Sequence, residues 1–292
     1  MQLSDNARGA ILMNVAMAAF TLNDTAMKAV MEVVPMFQAM TLRGVLSTAA
    51  LAFLAWRMGV LLPRLSARDR GFVSLRAVFE VLSTLTFFAA LRHMPLANLS
   101  AIMQALPLAV TLAAALFLRE KVGWRRSIAI AAGFAGVLII IRPGPEGFSV
   151  WSVMGLLSVA CVVVRDLSTR QMSRDVPSVL VATTASAAVL ATGIVGAIWE
   201  GWVPVAGREA GLIVFAAIML IVGYTSIVAA MRAGDIGVVA PFRYMALVWA
   251  ILLGWVVFRT LPDGWTLIGA GIVVASGIYT LLRGARLKRR PA

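Results

Sequence analysis

The chain alternates between long, nearly unbroken apolar runs and short polar stretches carrying proline, glycine or arginine. Ten apolar runs are legible, at about residues 8–31, 35–56, 72–92, 95–117, 124–141, 149–170, 179–199, 210–231, 237–257 and 264–283. A helix crossing a hydrocarbon core needs roughly 17 to 25 such residues, and each run is close to that length or within it. The runs are continuous and lack the ten-residue alternation of outer-membrane strands, so the spacing predicts helices and not a barrel. Almost nothing remains for a separate soluble domain. The first run lacks a basic leader and carries charges inside it, so it reads as part of the mature structure and not as a secretory signal.

Composition agrees with this pattern. Of 292 residues 61% are hydrophobic and only 13% charged, with a mean hydropathy of +0.92, against the roughly 25% charged residues of a soluble domain. A net charge of +13 and an isoelectric point near 11.5 would suggest nucleic acid in a soluble protein. The distribution of the charge points elsewhere. With the amino terminus in the cytoplasm, 17 lysines and arginines fall on inner segments, among them Arg57, Arg64, Arg125, Arg126 and the tail Arg289 and Arg290. Outer segments hold five, namely Lys28, Arg92, Arg142, Arg208 and Arg259. Such a bias places both termini inside. The single cysteine, Cys161, lies within the sixth run and rules out an intrachain disulfide or a thiolate metal cluster.

An internal repeat emerges at an offset of about 141 residues: Gly123 and Trp124 align with Gly264 and Trp265, Gly136 with Gly277, and Arg142 with Arg283. Earlier in the chain Val34 and Pro35 align with Val176 and Pro177, and Asp24 with Asp166. Two halves are predicted, residues 1–145 and 146–292 with a short basic tail. Because each half has five spans, the second starts from the opposite face of the membrane, which makes the repeats inverted.

The stretch ANLSAIMQALPLAVTLAAALFLREKVGWRRSIAIAAGFAGVLIIIRPG, within residues 97–144, and its second copy from about Ile236 to Arg283 resemble the closing section of an EamA-type repeat of the drug/metabolite transporter superfamily. The resemblance implies an all-helical integral membrane fold of ten transmembrane helices in two inverted five-helix repeats. Spans 1 to 4 and 6 to 9 would surround a central cavity, with spans 5 and 10 outside. Two departures stand out. The family's glutamate after span 4 is matched by Glu120, but the second copy reads FRTLPDGW, without one; its span 4 proline is matched by Pro107, whereas span 9 has Leu247 nearby and its proline earlier, at Pro241.

Charges within the runs are the candidate chemistry, since an ionisable group near the bilayer centre costs roughly 2.5 to 3.5 kcal/mol on insertion scales and must face a partner, a cavity or water. FTLNDTAMKAV, residues 20–30, places Asn23, Asp24 and Lys28 in the first span, the last two one helical turn apart. Arg76 and Glu80 repeat that spacing in span 3. Arg43, Gln104, the Arg165–Asp166 pair, and Arg243 with Tyr244 and Trp249 complete the set. The pairs read equally as neutralised packing devices or as substrate and proton handling. Arg43 is a candidate ligand or a side chain snorkelling to the outer surface. Arg165 and Asp166 suit a gate or boundary. Arg243 offers a planar fork for a carboxylate or phosphate, with Tyr244 and Trp249 as stacking faces. The remaining tryptophans near span ends read as an interfacial belt.

One histidine, His93, one cysteine and the lack of a phosphate-binding loop give no support to an enzyme, a cofactor or a metal site. The resemblance implies a secondary transporter of the bacterial inner membrane for small metabolites, amino acids or related zwitterions above all, working by alternating access and commonly in export. The NDTAMK stretch also resembles the start of S-adenosylmethionine carriers of the same superfamily, which makes uptake of such a nucleoside- or vitamin-like metabolite the alternative. A channel or a non-transporting scaffold are remoter readings. Expected partners are a small-molecule substrate and the lipid bilayer, with a proton as candidate coupling ion, no nucleic acid, and a monomer or weak dimer.

The charge bias yields a test. In a Cys161→Ser background, cysteines introduced beside Arg125 resist an impermeant thiol reagent in intact cells, whereas cysteines beside Arg208 react. Labelling in the reverse sense would invert the topology.

Overall fold

The computed structural model describes residues 5–60, 65–119, 123–142, 149–173, 175–233 and 235–288; Arg64, Glu120, Lys121, Arg174, Arg289 and Arg290 lie outside them. The described residues form helices and no strand: α1 (Asp5–Met31), α2 (Met36–Arg57), α3 (Ala67–His93), α4 (Leu96–Met103), α5 (Leu106–Phe117), α6 (Trp124–Ile141), α7 (Val150–Gln171), α8 (Ser178–Glu200), α9 (Gly207–Ala233), α10 (Ile236–Val239), a 3-10 segment Ala240–Tyr244, α11 (Met245–Phe258) and α12 (Gly264–Lys288). Among the described residues ten helical stretches are long and apolar enough to cross a membrane, and they coincide with the ten predicted spans. The fourth and ninth stretches are not single helices. Each is interrupted, the fourth between Met103 and Leu106 and the ninth over Ala240–Tyr244.

Proline marks several starts. Pro35, Pro95 and Pro177 immediately precede α2, α4 and α8, where a missing N–H costs nothing and a fixed φ favours entry into the helix. Some ends are marked by arginine in the left-handed region, where a side chain is uncommon. Arg119 and Arg259, 140 positions apart, both take φ 54°, and Arg142 takes φ 49° at the end of α6. The matching conformations at Arg119 and Arg259 are consistent with the repeat.

The chain divides into two compact units, each drawing on both sequence halves: one of residues 1–25, 93–156 and 219–292, the other of residues 26–92 and 157–218. In the first, α6 and α12 run against each other through small residues. A Cβ placed on Gly269 would lie 2.5 Å from the carbonyl oxygen of Gly136, and one on Gly136 would lie 2.8 Å from that of Gly269. Association of helices in lipid depends on such close packing because tails are as apolar as the side chains they would replace. The carboxylate of Asp263 accepts the N–H of Thr266 at 2.8 Å at the start of α12 and pairs with Arg142 at the end of α6. The Thr266 N–H, followed by Arg142, holds that carboxyl below its usual range. The same unit contains a core of Met13, Ala16, Met17, Ala230 and Val239, flanked by Phe20, Met245 and Trp249.

In the second unit α2 and α8 form the corresponding close pair. Gly193 gives way to Thr41 and Gly196 to the ring of Phe37, each too close for a Cβ. One end of this pair is fastened by polar groups. Gln38, fully buried, donates to the Val203 carbonyl at 2.7 Å and accepts its N–H at 2.9 Å, while the Glu200 carboxylate accepts the N–H groups of Met36 and Phe37 at 3.0 and 2.7 Å. Asp69 does the same for α3 and α7, accepting the N–H of Ser173 at 3.0 Å and the hydroxyl of Ser66 at 2.7 Å.

Gly269→Val forces a side chain into backbone that cannot move aside, so it destabilises by about 1–3 kcal/mol and lowers the melting temperature in detergent by several degrees. Gly271→Ala, two residues along α12 with nothing within 4 Å of the added Cβ, leaves it unchanged or slightly higher.

Candidate functional site

The two interrupted spans meet. Pro107 lacks an N–H and its ring excludes the carbonyl four residues earlier, that of Met103, where α4 stops. The chain passes the break on tighter bonds, with the Ala105 N–H reaching the Ile102 carbonyl at 3.0 Å. Pro241 stands in the 3-10 segment of the ninth span, and there the Met245 N–H returns to the carbonyls of Phe242 and Arg243. The two breaks are joined by the buried Gln104 side chain, whose Nε2 donates to the Tyr244 carbonyl at 3.2 Å. Gln104 thus serves the backbone of the other interruption, a role that no local pattern discloses.

Around this junction, within the same unit, stand the other expected residues of span 9. Arg243 is exposed on the 3-10 segment. Trp249 is half-buried and its indole Nε1 donates to Asn14 Oδ1 at 3.0 Å, so Asn14 of α1 joins the site unannounced. Phe20 of α1 meets Tyr224 of α9 edge-on, ring centres 5.4 Å apart. Tyr244 departs from expectation. Its ring is only 5% exposed and its hydroxyl end fills the notch left by Gly277 of α12, where a Cβ would lie 1.6 Å from the oxygen. A ring enclosed this way offers no stacking face, and Trp249 is the aromatic that remains for that role. The Tyr244 hydroxyl is buried without a hydrogen-bond partner.

On α1, Asn14, Thr21, Asp24 and Lys28 fall along one stripe by helical spacing. Asn23, buried on the other side, turns its amide to Asp24 Oδ1 at 2.9 Å. The Lys28 ammonium donates to the carbonyl of Leu91 near the end of α3 at 2.6 Å, taking up an acceptor that helix termini leave open.

The second unit brings four of the expected charges into one chain. Arg76 Nη1 lies 3.4 Å from Glu80 Oε2 on α3, and Arg165 Nη1 of α7 lies 3.3 Å from Glu80 Oε1. Arg165 in turn donates through Nε to Asp166 Oδ1 at 3.0 Å, and Arg76 Nε donates to the Thr169 hydroxyl at 3.0 Å. The i,i+4 pair and the neighbouring pair are therefore one assembly spanning α3 and α7. Arg43 does not snorkel outward: it is 8% exposed and its guanidinium lies 4.9 Å from the centre of the Phe88 ring, a cation held over an aromatic face. Among the described residues no three His, Cys, Asp or Glu side chains converge as a metal site.

Interrupted spans among membrane-length helices recur in membrane carriers. Residues 7–142 match the EamA-like transporter family. It is 29% identical over 220 residues to a riboflavin transporter of Rhizobium johnstonii, covering 74% of this chain and 72% of that one. It is 26% identical over 277 residues to the pseudopaline exporter CntI of Pseudomonas aeruginosa, covering 92% and 94%, and 22% identical over 196 residues to an S-adenosylmethionine uptake transporter of Rickettsia felis, covering 64% and 63%. A crystal structure superposes on 97% of this chain and 99% of its own with a TM-score of 0.66 at 22% identity, which shows a shared fold. These relatives are transporters, and ten apolar helices make the chain a multi-pass membrane protein.

Because the Tyr244 hydroxyl is buried and unbonded, Tyr244→Phe keeps the ring and removes a polar group whose burial costs about 1–3 kcal/mol. The variant melts at or above the wild-type temperature in detergent. A fall of several degrees would mean that the hydroxyl is satisfied in solution.

Proposed function

We propose that this chain is a secondary transporter of the bacterial inner membrane, moving a small zwitterionic or anionic metabolite by alternating access. The observation that supports it most is the pair of interruptions at corresponding positions of the two sequence halves, joined by Gln104 and the Tyr244 carbonyl. In carriers built from inverted repeats, broken spans at matching places mark the substrate site. In this reading residues 1–145 and 146–292 are the two repeats, both termini are cytoplasmic, and Arg243 receives the substrate's anionic group while Trp249, oriented by Asn14, covers its apolar part. Asp24, with Asn23 on its carboxylate, supplies the counter-charge for a cationic group. A proton is the candidate coupling ion.

Amino acids or related zwitterions are the substrates of first choice, and export the direction. The alignment with the pseudopaline exporter spans 92% of the chain, and that supports export. Uptake of a vitamin- or nucleoside-like metabolite is the second reading, favoured by the riboflavin and S-adenosylmethionine carriers among the relatives and by the aromatic side chains of Phe20, Tyr224 and Trp249 beside polar Asn14.

Reconstitution in proteoliposomes with labelled amino acids, S-adenosylmethionine and riboflavin tests the reading, and no compound crossing faster than in protein-free vesicles counts against it. For the compound that moves, Arg243→Lys keeps the charge but loses the planar fork. Its apparent affinity drops about tenfold, as expected for loss of one charge-assisted bond of roughly 1.5–3 kcal/mol. An Arg243→Ala protein that inserts and transports with wild-type affinity takes Arg243 out of the site.

A further inference from the structure

The charge chain of the second unit has features that a packing device does not need. Two guanidiniums converge on the single Glu80 carboxylate, and both approaches are long. Arg76 stands at 3.4 Å and Arg165 at 3.3 and 3.5 Å, against about 2.7–2.9 Å for a well-made charge-assisted bond. Arg76 Nη1 is buried and, despite its nearness to Glu80, has no hydrogen-bond partner. Its Nε is fixed by the Thr169 hydroxyl at 3.0 Å, and that hydroxyl is itself anchored on the Arg165 carbonyl at 2.9 Å. The guanidinium is therefore aimed from one edge and unsatisfied at the other.

Exposure along the chain is graded. The side chains of Arg76 and Glu80 are 14% exposed, Arg165 22% and Asp166 33%. Asp166 is thus the more open end of the chain, and Arg76 with Glu80 the more enclosed.

Charge arithmetic selects its class. The two arginines and two carboxylates sum to zero. A simple anion or cation entering would leave one uncompensated charge in a poorly solvated site, which is strongly unfavourable. A zwitterion adds none. It also supplies what the chain lacks, an anionic oxygen for Arg76 Nη1, and brings a donor for the Glu80 oxygens that the guanidiniums hold loosely and for Asp166 Oδ2 beside them.

We propose that Arg76, Glu80, Arg165 and Asp166 form a binding site for a zwitterionic headgroup, the carboxylate of the ligand on the Arg76–Arg165 side and its ammonium on Glu80 and Asp166. The inference rests on the transporter reading for its purpose and adds, within the second unit, a headgroup site separate from the Arg243 and Asp24 site proposed in the first. It assigns to Arg165 and Asp166 direct contact with the ligand instead of a boundary role.

Binding to the full chain in detergent tests it, read as a shift in melting temperature with millimolar L-amino acids, their methyl esters and their N-acetyl derivatives as probes. At least one free amino acid raises the melting temperature, and its ester and N-acetyl forms, each lacking one of the two charges, bind at least about tenfold more weakly. Glu80→Gln removes the partner of the ammonium, so it reduces the preference for the free amino acid over its N-acetyl form by about tenfold or more. This ratio is insensitive to a general loss of stability. Arg165→Lys, retaining charge, lowers affinity for both. If no free amino acid shifts the melting temperature, or if ester and N-acetyl forms bind as well as the parent, the proposal is wrong. It is equally wrong if Glu80→Gln leaves the ratio unchanged. Transport of riboflavin without amino-acid binding overturns this site and leaves the transporter reading standing; binding of amino acids without transport of any compound does the reverse.

Discussion

Within hydrocarbon there is no water to satisfy a stray donor, acceptor or charge, so one that the protein itself does not meet, such as the Tyr244 hydroxyl, is costly. The rest of this structure follows from that constraint. Hydroxyls inside the spans bond back to the preceding turn: Thr21 to the Met17 carbonyl at 2.8 Å, Thr25 to that of Thr21 at 2.7 Å, Thr41 to that of Phe37 at 2.8 Å. Helix ends, which leave four N–H and four carbonyl groups open, are met by side chains from other helices. Glu200 closes the start of α2, Lys28 a carbonyl near the end of α3, and Asp69 the junction of α3 with α7. These residues are polar where the chain is otherwise apolar because a terminus needs them there.

Once backbone and charges are satisfied, packing in lipid is a matter of contact. Glycine at Gly136 and Gly269, and at Gly193 and Gly196, lets helix pairs approach until backbone meets backbone or ring. Many large apolar side chains turn outward. Trp199, Trp124 and Trp265 remain largely exposed near helix ends, where a ring that is apolar in body and polar at one atom suits the interface. Trp151 is the exception, stacked on His93 with ring centres 3.7 Å apart.

This division explains what the sequence disclosed. Ten spans were legible because length and apolarity are properties of one segment. Most of the candidate polar residues were legible because any charge inside a span is conspicuous. Their partners were not, since a partner belongs to another segment: Arg165 with Glu80 are 85 positions apart and Gln104 with the Tyr244 carbonyl 140. Gln38, Asn14, Glu200 and Asp69 escaped notice for the same reason, each looking like a minor polar residue until its distant acceptor or donor is known. Direction was also hidden. Arg43 and Tyr244 carry chemistry suited to a cavity, yet one is held over Phe88 and the other turned to Gly277. The helix breaks at Pro107 and Pro241 left a local signal, the proline itself, but many membrane helices keep a proline without unwinding, and the sequence does not say which will.

The two breaks show how the constraint can be relaxed without being violated. Proline removes a donor, so the carbonyl it displaces needs another partner or must be met by a tightened turn. At the fourth span the turn tightens; at the ninth, the Tyr244 carbonyl, three residues past Pro241, accepts a bond from Gln104, which belongs to the other break. Losing a buried hydrogen-bond partner costs about 1–3 kcal/mol, so a change of winding at either segment bears on the Gln104–Tyr244 bond. The irregularities at positions 104 and 244 are thus one coupled element and not two separate defects. A carrier that must adopt two arrangements of similar energy has reason to place such an element where its spans are broken, since there the backbone can exchange partners while the rest of each helix keeps its ladder intact.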